Sequence, residues 1–384
     1  MRIITPDDGF HYFFGYYDLM PFDSGERLHL VHRVPFMDRL PRADDEAELG
    51  AVDLETGNWI RYASTSAWNF QQGAMLRRIF DDLHILYNVR DGGTPSGFGT
   101  EILDIRTGEK RRLPAPAADV SKDGRFALSV NFSRIFDFRP GYGYAGVPDP
   151  WADVPAPADD GISLVDLATG EVRLIADYAR MRREFPQPPF SDGKLVVNHI
   201  TFNPAGDRFL FLLRNFPEPG KHGWKTQLIV SDLDGNMKKI TDYCVNSHYY
   251  WKNDREILIV SSARTEDTSF ALWLMDAETG EKTRLPEPNP TFDIHCIYSP
   301  DRRRIVGDSY PGGKRGATRS LWLIDPEAHV MTEPVRVDTV IPPVVDIRCD
   351  LHVRWSPSGR LLSFDSTHTG ARTVVLLTAK ELGI

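Results

Sequence analysis

The sequence predicts an all-β chain folded as a single seven-bladed β-propeller, and three observations predict it. An apolar strand running into Asp and a Thr-Gly-Glu type turn recurs along the chain, a strand-turn-strand unit recurs seven times ahead of it, and 28 Pro and 30 Gly point to many turns rather than long helices. At 384 residues the chain is longer than most single domains, but a repeat explains that length without a second one.

The Asp-turn unit is GAVDLETGNW (50 to 59), EILDIRTGEK (101 to 110), SLVDLATGEV (163 to 172), IVSDLDGNMK (229 to 238), LWLMDAETGEK (272 to 282) and LWLIDPEAHV (321 to 330). A seventh apolar strand, TVVLLTAK (373 to 380), lacks its turn partner. The preceding unit reads MPFDSGERLHLVH, MLRRIFDDLHILYN, VSKDGRFALSV, FNPAGDRFLFLL, WKNDREILIV, YSPDRRRIVGD and WSPSGRLLSFD. Together they supply an inner strand A, then B, C and D, which is one antiparallel propeller blade. The last blade lacks strand D. Residues 2 to 5 (RIIT) are placed to supply it, so that no sheet edge is left open.

Two stretches interrupt the repeat. Residues 131 to 160 form an aromatic, Gly/Pro-rich insertion between strands B and C of blade three, and residues 177 to 198 form a long connection carrying Arg180, Arg182 and Arg183. Connections of this length are functional or disordered, and the aromatic content of the first favours an ordered rim.

Aligning the A strands on their turns places His199, His248, His295 and His352 at one position in blades four to seven, with Tyr17, Gln72 and Ala117 as the counterparts in blades one to three. Because A strands line the central channel, these side chains converge on one of its mouths. The B-to-C loops emerge on the same face and bring Arg33, Arg90, Arg134, Arg214, Arg264, Asp308, Asp365, His368 and the Trp224 loop. Repeats also duplicate structural residues, so each His could simply bond a neighbouring blade. Four of the chain's 11 His at one converging position favour a divalent metal or an anionic ligand instead.

A formal net charge of −9 argues against a nucleic-acid or anionic-membrane surface. With no signal-peptide pattern and no long apolar run, the expectation is a cytoplasmic protein. Cys244, Cys296 and Cys349 have no CxxC spacing and read as reduced core residues.

The stretches NHITFNPAGDRFLFLLRNFPEPGKHGW (198 to 224), SHYYWKNDREI (247 to 257), HCIYSPDRRRIVGD (295 to 308) and DLHVRWSPSGRLLSFDSTHTG (350 to 370) resemble the oligogalacturonate lyases, propellers that cleave uronate oligosaccharides by β-elimination with manganese. The resemblance covers roughly residues 190 to 384 and is weak over the first three blades. It implies His199 as the base that removes the C5 proton and His248 and His352 as metal ligands. Where the family pattern has a second His and a Gln, this chain has Asp350 and Ile347. Asp350 suits Mn2+ through oxygen, and His295 or Gln72 is available to complete the shell.

The chemistry asks for a cation or an arginine, Arg214 or Arg264, to neutralise the uronate carboxylate, and for a phenol such as Tyr249 or Tyr250 to protonate the leaving O4. Tyr17, Gln72, Arg90, Arg134 and Arg264 are the expected substrate contacts, and an acidic oligosaccharide is the expected partner. Two other readings remain open: a glycoside hydrolase using Asp18, Asp308 or Asp365, and a non-catalytic propeller that binds a glycan or protein.

Overall fold

A computed structural model describes residues 1–186, 193–216, 225–242, 245–264 and 267–384; Cys244 and the Trp224 loop lie outside them. Seven four-stranded antiparallel sheets form the predicted seven-bladed propeller. In the seventh blade Arg2–Ile3 pairs with Thr373–Thr378 in the register Arg2 to Leu376 and Ile3 to Val375, so the N-terminal strand closes the ring. Ile4 is buried in an apolar cluster that also holds Val374 and Leu376.

The Asp-turn motif forms for a local reason. In the fifth blade Asp276 accepts the amides of Glu278 and Thr279, the Thr279 hydroxyl accepts that of Glu281, and Gly280 adopts φ +77. This is an Asx-turn closed by a left-handed residue, which glycine takes without the Cβ clash. The sixth blade keeps Asp325 but puts His329 in that conformation, φ +55.

The insertion is ordered among its described residues. Helix α1 (Phe132–Phe138) is capped by Asn131, whose side chain also donates to Asp149 and Asp160. Stacked Phe132 and Tyr144 rings, 4.2 Å apart, fasten the insertion to the core. In the second connection, helix α2 (Tyr178–Glu184) is capped by Asp177.

Blade one departs from the simple repeat. Its inner strand runs over His11–Phe13, leaves the sheet, and rejoins it only at a Phe22 to His29 bridge. The excursion between them carries Tyr16, Tyr17 and Asp18 into the channel. Blade seven holds it there: Arg354 donates through Nε to the Tyr16 carbonyl (3.2 Å) and through Nη2 to that of Gly15, and Asp365 accepts the Phe14 amide (3.2 Å). Gly15 has φ +144, and a Cβ there would meet the Gln72 carbonyl oxygen at 3.0 Å.

Candidate functional site

The histidine positions meet in the channel with unequal geometry. In Lys194–Phe202 the register slips between Asn198 and Ile200, leaving His199 outside the ladder at φ +54. The strand Asn246–Trp251 slips similarly around His248. His295 pairs in register with Asp308, and His352 stands just before its strand at φ +44. Bulges and left-handed residues of this kind re-aim side chains, here into a shared centre. The His248 and His295 ring centroids are 3.9 Å apart, those of His295 and His352 are 4.6 Å apart, and His199 lies 6.3 Å from His248.

Each of the inner three imidazoles is oriented through Nδ1. His352 Nδ1 lies 2.9 Å from the Gly15 carbonyl, which can only accept, so Nδ1 carries the proton and Nε2 keeps its lone pair. His248 Nδ1 is 3.0 Å from Asp293, and His295 Nδ1 is 3.3 Å from Asp308. Carboxylate or carbonyl partners on Nδ1 are the usual way a protein presents Nε2 to a metal or a proton. Asp308 is itself held by the Leu351 and His352 amides.

His295, Asp350 and His352 form the one group among the described residues whose ligand atoms could share a metal ion, all lying within 4.8 Å of one another. His352 Nε2 is buried without a hydrogen-bond partner, 4.0 Å from Asp350 Oδ2. Two imidazoles and a carboxylate suit a divalent transition metal, so these residues fit the group that the sequence implied. His248, also expected as a ligand, lies outside this trio. Asp350 carries an ion pair with Arg348 at 2.8 Å and lies 3.7 Å from Arg319. Burial would raise its carboxyl, but Arg348, His295 and Arg319 outweigh burial and hold it below its ordinary value.

Burial holds His199 and His352 well below the ordinary imidazole value, helped by Arg214 and His295 respectively, and takes His248 down to about 3. These three are neutral at neutral pH. Cationic side chains surround them. Arg214 is buried beside His199, with burial and Arg139 lowering it to about 10, and Lys314 is pushed down to about 7 by burial, Arg348 and Arg139.

Several expected residues have other work. Arg134, expected as a substrate contact, is fully buried in an ion pair with Asp149 (3.0 Å) and donates to the Leu195, Trp151, Val154 and Pro155 carbonyls; it anchors the insertion, because none of its charge faces the channel. Arg90 donates to the Ala145 carbonyl of the same insertion (2.6 Å), and Arg264 is exposed on its loop. The Tyr249 hydroxyl donates to the backbone carbonyls of His199 (2.9 Å) and Leu210 (3.2 Å). Tyr17 reaches the histidines edge-on, but its hydroxyl is bonded to the Tyr249 backbone (2.7 Å). Gln72 lines a small internal cavity together with Tyr16 and His199.

Residues that no repeat revealed complete the centre. Tyr16 stacks on His199, Tyr142 from the insertion stands edge-on to His199 and accepts from Arg348 (3.1 Å), and the Tyr310 hydroxyl is 3.3 Å from His295 Nε2. Buried Cys296 and Cys349 are unpaired, as the spacing suggested.

No family model and no curated protein matches the sequence. Among solved structures, oligogalacturonate lyase in complex with manganese superposes with a TM-score of 0.70 at 18% identity, covering 98% of this chain and 92% of that one. The fold is that of oligogalacturonate lyase. A second oligogalacturonate lyase, from Vibrio parahaemolyticus, gives 0.68 at 14% identity over the same shares of both chains. The β-propeller domain of the Trilobed protease from Pyrococcus furiosus gives 0.50 at 12%, covering 90% and 91%. The likeness to oligogalacturonate lyase thus runs through the first three blades, where the sequence resemblance is weak. No helix among the described residues is long and apolar enough to cross a membrane.

Proposed function

We propose that this chain is a lyase that cleaves uronic-acid-containing oligosaccharides by β-elimination, acting at the histidine end of the channel. The observation that carries the reading is the pairing of neutral His199 with buried, cationic Arg214, next to a trio able to hold a divalent cation. A proton α to a carboxylate becomes removable when the charge developing on that carboxylate is stabilised and a base of suitable pKa is positioned to take it.

His295, Asp350 and His352 are the residues that would hold Mn2+ or a similar ion, which when bound would neutralise the substrate carboxylate. Arg214, with Arg139 and Lys314 nearby, supplies cationic charge that draws an acidic sugar. His199 takes the C5 proton. As the C4–O4 bond breaks, Tyr16, whose hydroxyl is 3.3 Å from His199 Nε2, replaces Tyr249 as the phenol that would give its proton to the leaving O4 and regain one from the protonated base. The manganese complex of a protein with the same fold supports the choice of metal.

The test is the ultraviolet absorbance of the unsaturated product on a panel of uronate oligosaccharides, with Mn2+ or with chelator. Absorbance that grows with Mn2+ and disappears in His199→Ala is the expected result. Its absence on every uronate overturns the reading, and reducing ends released without it would mean hydrolysis.

A further inference from the structure

The channel has a second mouth, on the side where the A strands end, and a pocket of about 620 Å³ opens there. Its wall is built by the A-strand ends and A-to-B turns of several blades: Phe80 from blade two, Gly124 from blade three, Asn203 from blade four, Trp251 from blade five and Arg302 from blade six. At its base lie Asp18, Arg77 and Asp119. Asp18 and Asp119 also line the small cavity that holds Tyr16 and His199, so the base of this mouth backs onto the histidine centre.

Two independent features mark this mouth as built for a ligand. The first is Phe80. It is 58% exposed at the rim and holds φ +64, a conformation that bulky side chains rarely adopt. A Cβ on Gly124 would come within 2.6 Å of the Phe80 ring, so the ring lies against bare backbone. A strained aromatic held at the rim of a pocket, with its other side packed on Gly124, presents a flat apolar face to a ligand.

The second is Asp18. Three other carboxylates have arginine partners, Asp119 with Arg77 (2.5 Å), Asp350 with Arg348 and Asp365 with Arg354, while Asp293 and Asp308 face His248 and His295. Asp18 has no ion pair among the described residues, and burial together with Asp119 raises it to about 7. At neutral pH such a carboxyl is partly protonated and both donates and accepts hydrogen bonds. The lining balances its charges, Arg77, Arg78, Lys122 and Arg302 against Asp18, Asp81, Asp82 and Asp119, with Arg77 paired to Asp119, Arg78 3.9 Å from Asp82 and Arg302 on the Tyr250 hydroxyl (3.2 Å), so the mouth offers no net positive charge to an anionic ligand.

We infer that the second mouth binds a neutral saccharide unit, its C–H face on Phe80 and its hydroxyls on the carboxyl of Asp18. Aromatic stacking and polar contacts at the base of a concave pocket together fit a sugar ring better than a fully apolar or a charged ligand. Binding here calls on Phe80 and Asp18 and on none of the four histidines, so it is tested apart from elimination at the histidine end.

The experiment is calorimetric titration of the whole chain with maltotriose, galactobiose and cellotriose, and with tri-galacturonate as the charged comparison. Saturable binding of a neutral sugar is expected, weakened about tenfold in the surface variant Phe80→Ala and by at least as much in Asp18→Ala, while His199→Gln binds as well as the unmodified chain. No binding of any neutral sugar overturns the proposal. So does binding that Phe80→Ala leaves unchanged, or tri-galacturonate displacing the neutral sugar with higher affinity at the same mouth.

Discussion

The Tyr16 ring lies almost parallel to that of His199, centroids 4.9 Å apart and planes at 13°, with its hydroxyl 3.3 Å from Nε2. Tyr16 comes from blade one and His199 from blade four, so the pair spans the channel. It joins a phenol that burial keeps protonated to an imidazole that burial and Arg214 keep neutral.

Removing the base should therefore cost more than removing the phenol. His199→Ala is expected to lower kcat/KM for elimination by roughly 10² to 10⁴-fold, and Tyr16→Phe by less. Because the folded imidazole titrates well below its ordinary value, activity should persist as pH falls below about 6.5. Unsaturated-product release measured from pH 5 to 8 checks both, and full activity in His199→Ala rejects the assignment.

Arg214 and Arg134 should separate cleanly. Arg214→Met is expected to reduce kcat by about 10² to 10³-fold if its charge stabilises the developing carboxylate. Arg134→Met should act on folding instead, costing about 3 to 5 kcal/mol by leaving Asp149 buried without its partner. Urea midpoints and single-turnover rates on both variants distinguish the roles; a stable but inactive Arg134→Met would contradict the second.

The trio makes a prediction that needs no substrate. The unmodified chain loaded with Mn2+ and desalted should retain about one equivalent, with a raised Tm by mass action, and His352→Ala and Asp350→Asn should retain little. Elemental analysis reads this directly. Equal retention in the variants would move the ion elsewhere.

Stability should also fall on the acid side through His32, whose Nε2 accepts the Ala74 amide (2.9 Å) and whose pKa burial lowers to about 3. Between about 6.5 and 3 the unfolded chain takes up a proton that the folded chain refuses. This histidine's contribution is thus complete above 6.5 and declines as pH drops, at up to about 1.4 kcal/mol per pH unit. His32→Gln should flatten the dependence of the urea midpoint between pH 7 and 5; an unchanged slope would rule His32 out.

The blades were legible because their turns are local chemistry. Asp, Thr and Gly at fixed spacing make the same Asx-turn wherever they occur, and even His329 takes the glycine's conformation. The four histidines were legible because a repeat carries a position with it. Tyr16, Tyr142 and Lys314 were not, since each arrives on a segment outside the repeat: the blade-one excursion, the insertion and a B-to-C loop. Tyr249 misled for a different reason. Adjacent to His248 in sequence, it faces the other way by the two-residue period of a strand, into the core between blades four and five.

The closure of blade seven by Arg2–Ile3 sets an order in time. His352 bonds the Gly15 carbonyl across 337 positions of chain, and the arginine that clamps the Tyr16 excursion is Arg354. A ribosome makes the Tyr16 segment first and its anchors last, so a nascent chain carries an unassembled centre until blade seven emerges. A chain truncated within blade seven would lose the anchors of the Tyr16 segment even with His199 and Arg214 in place.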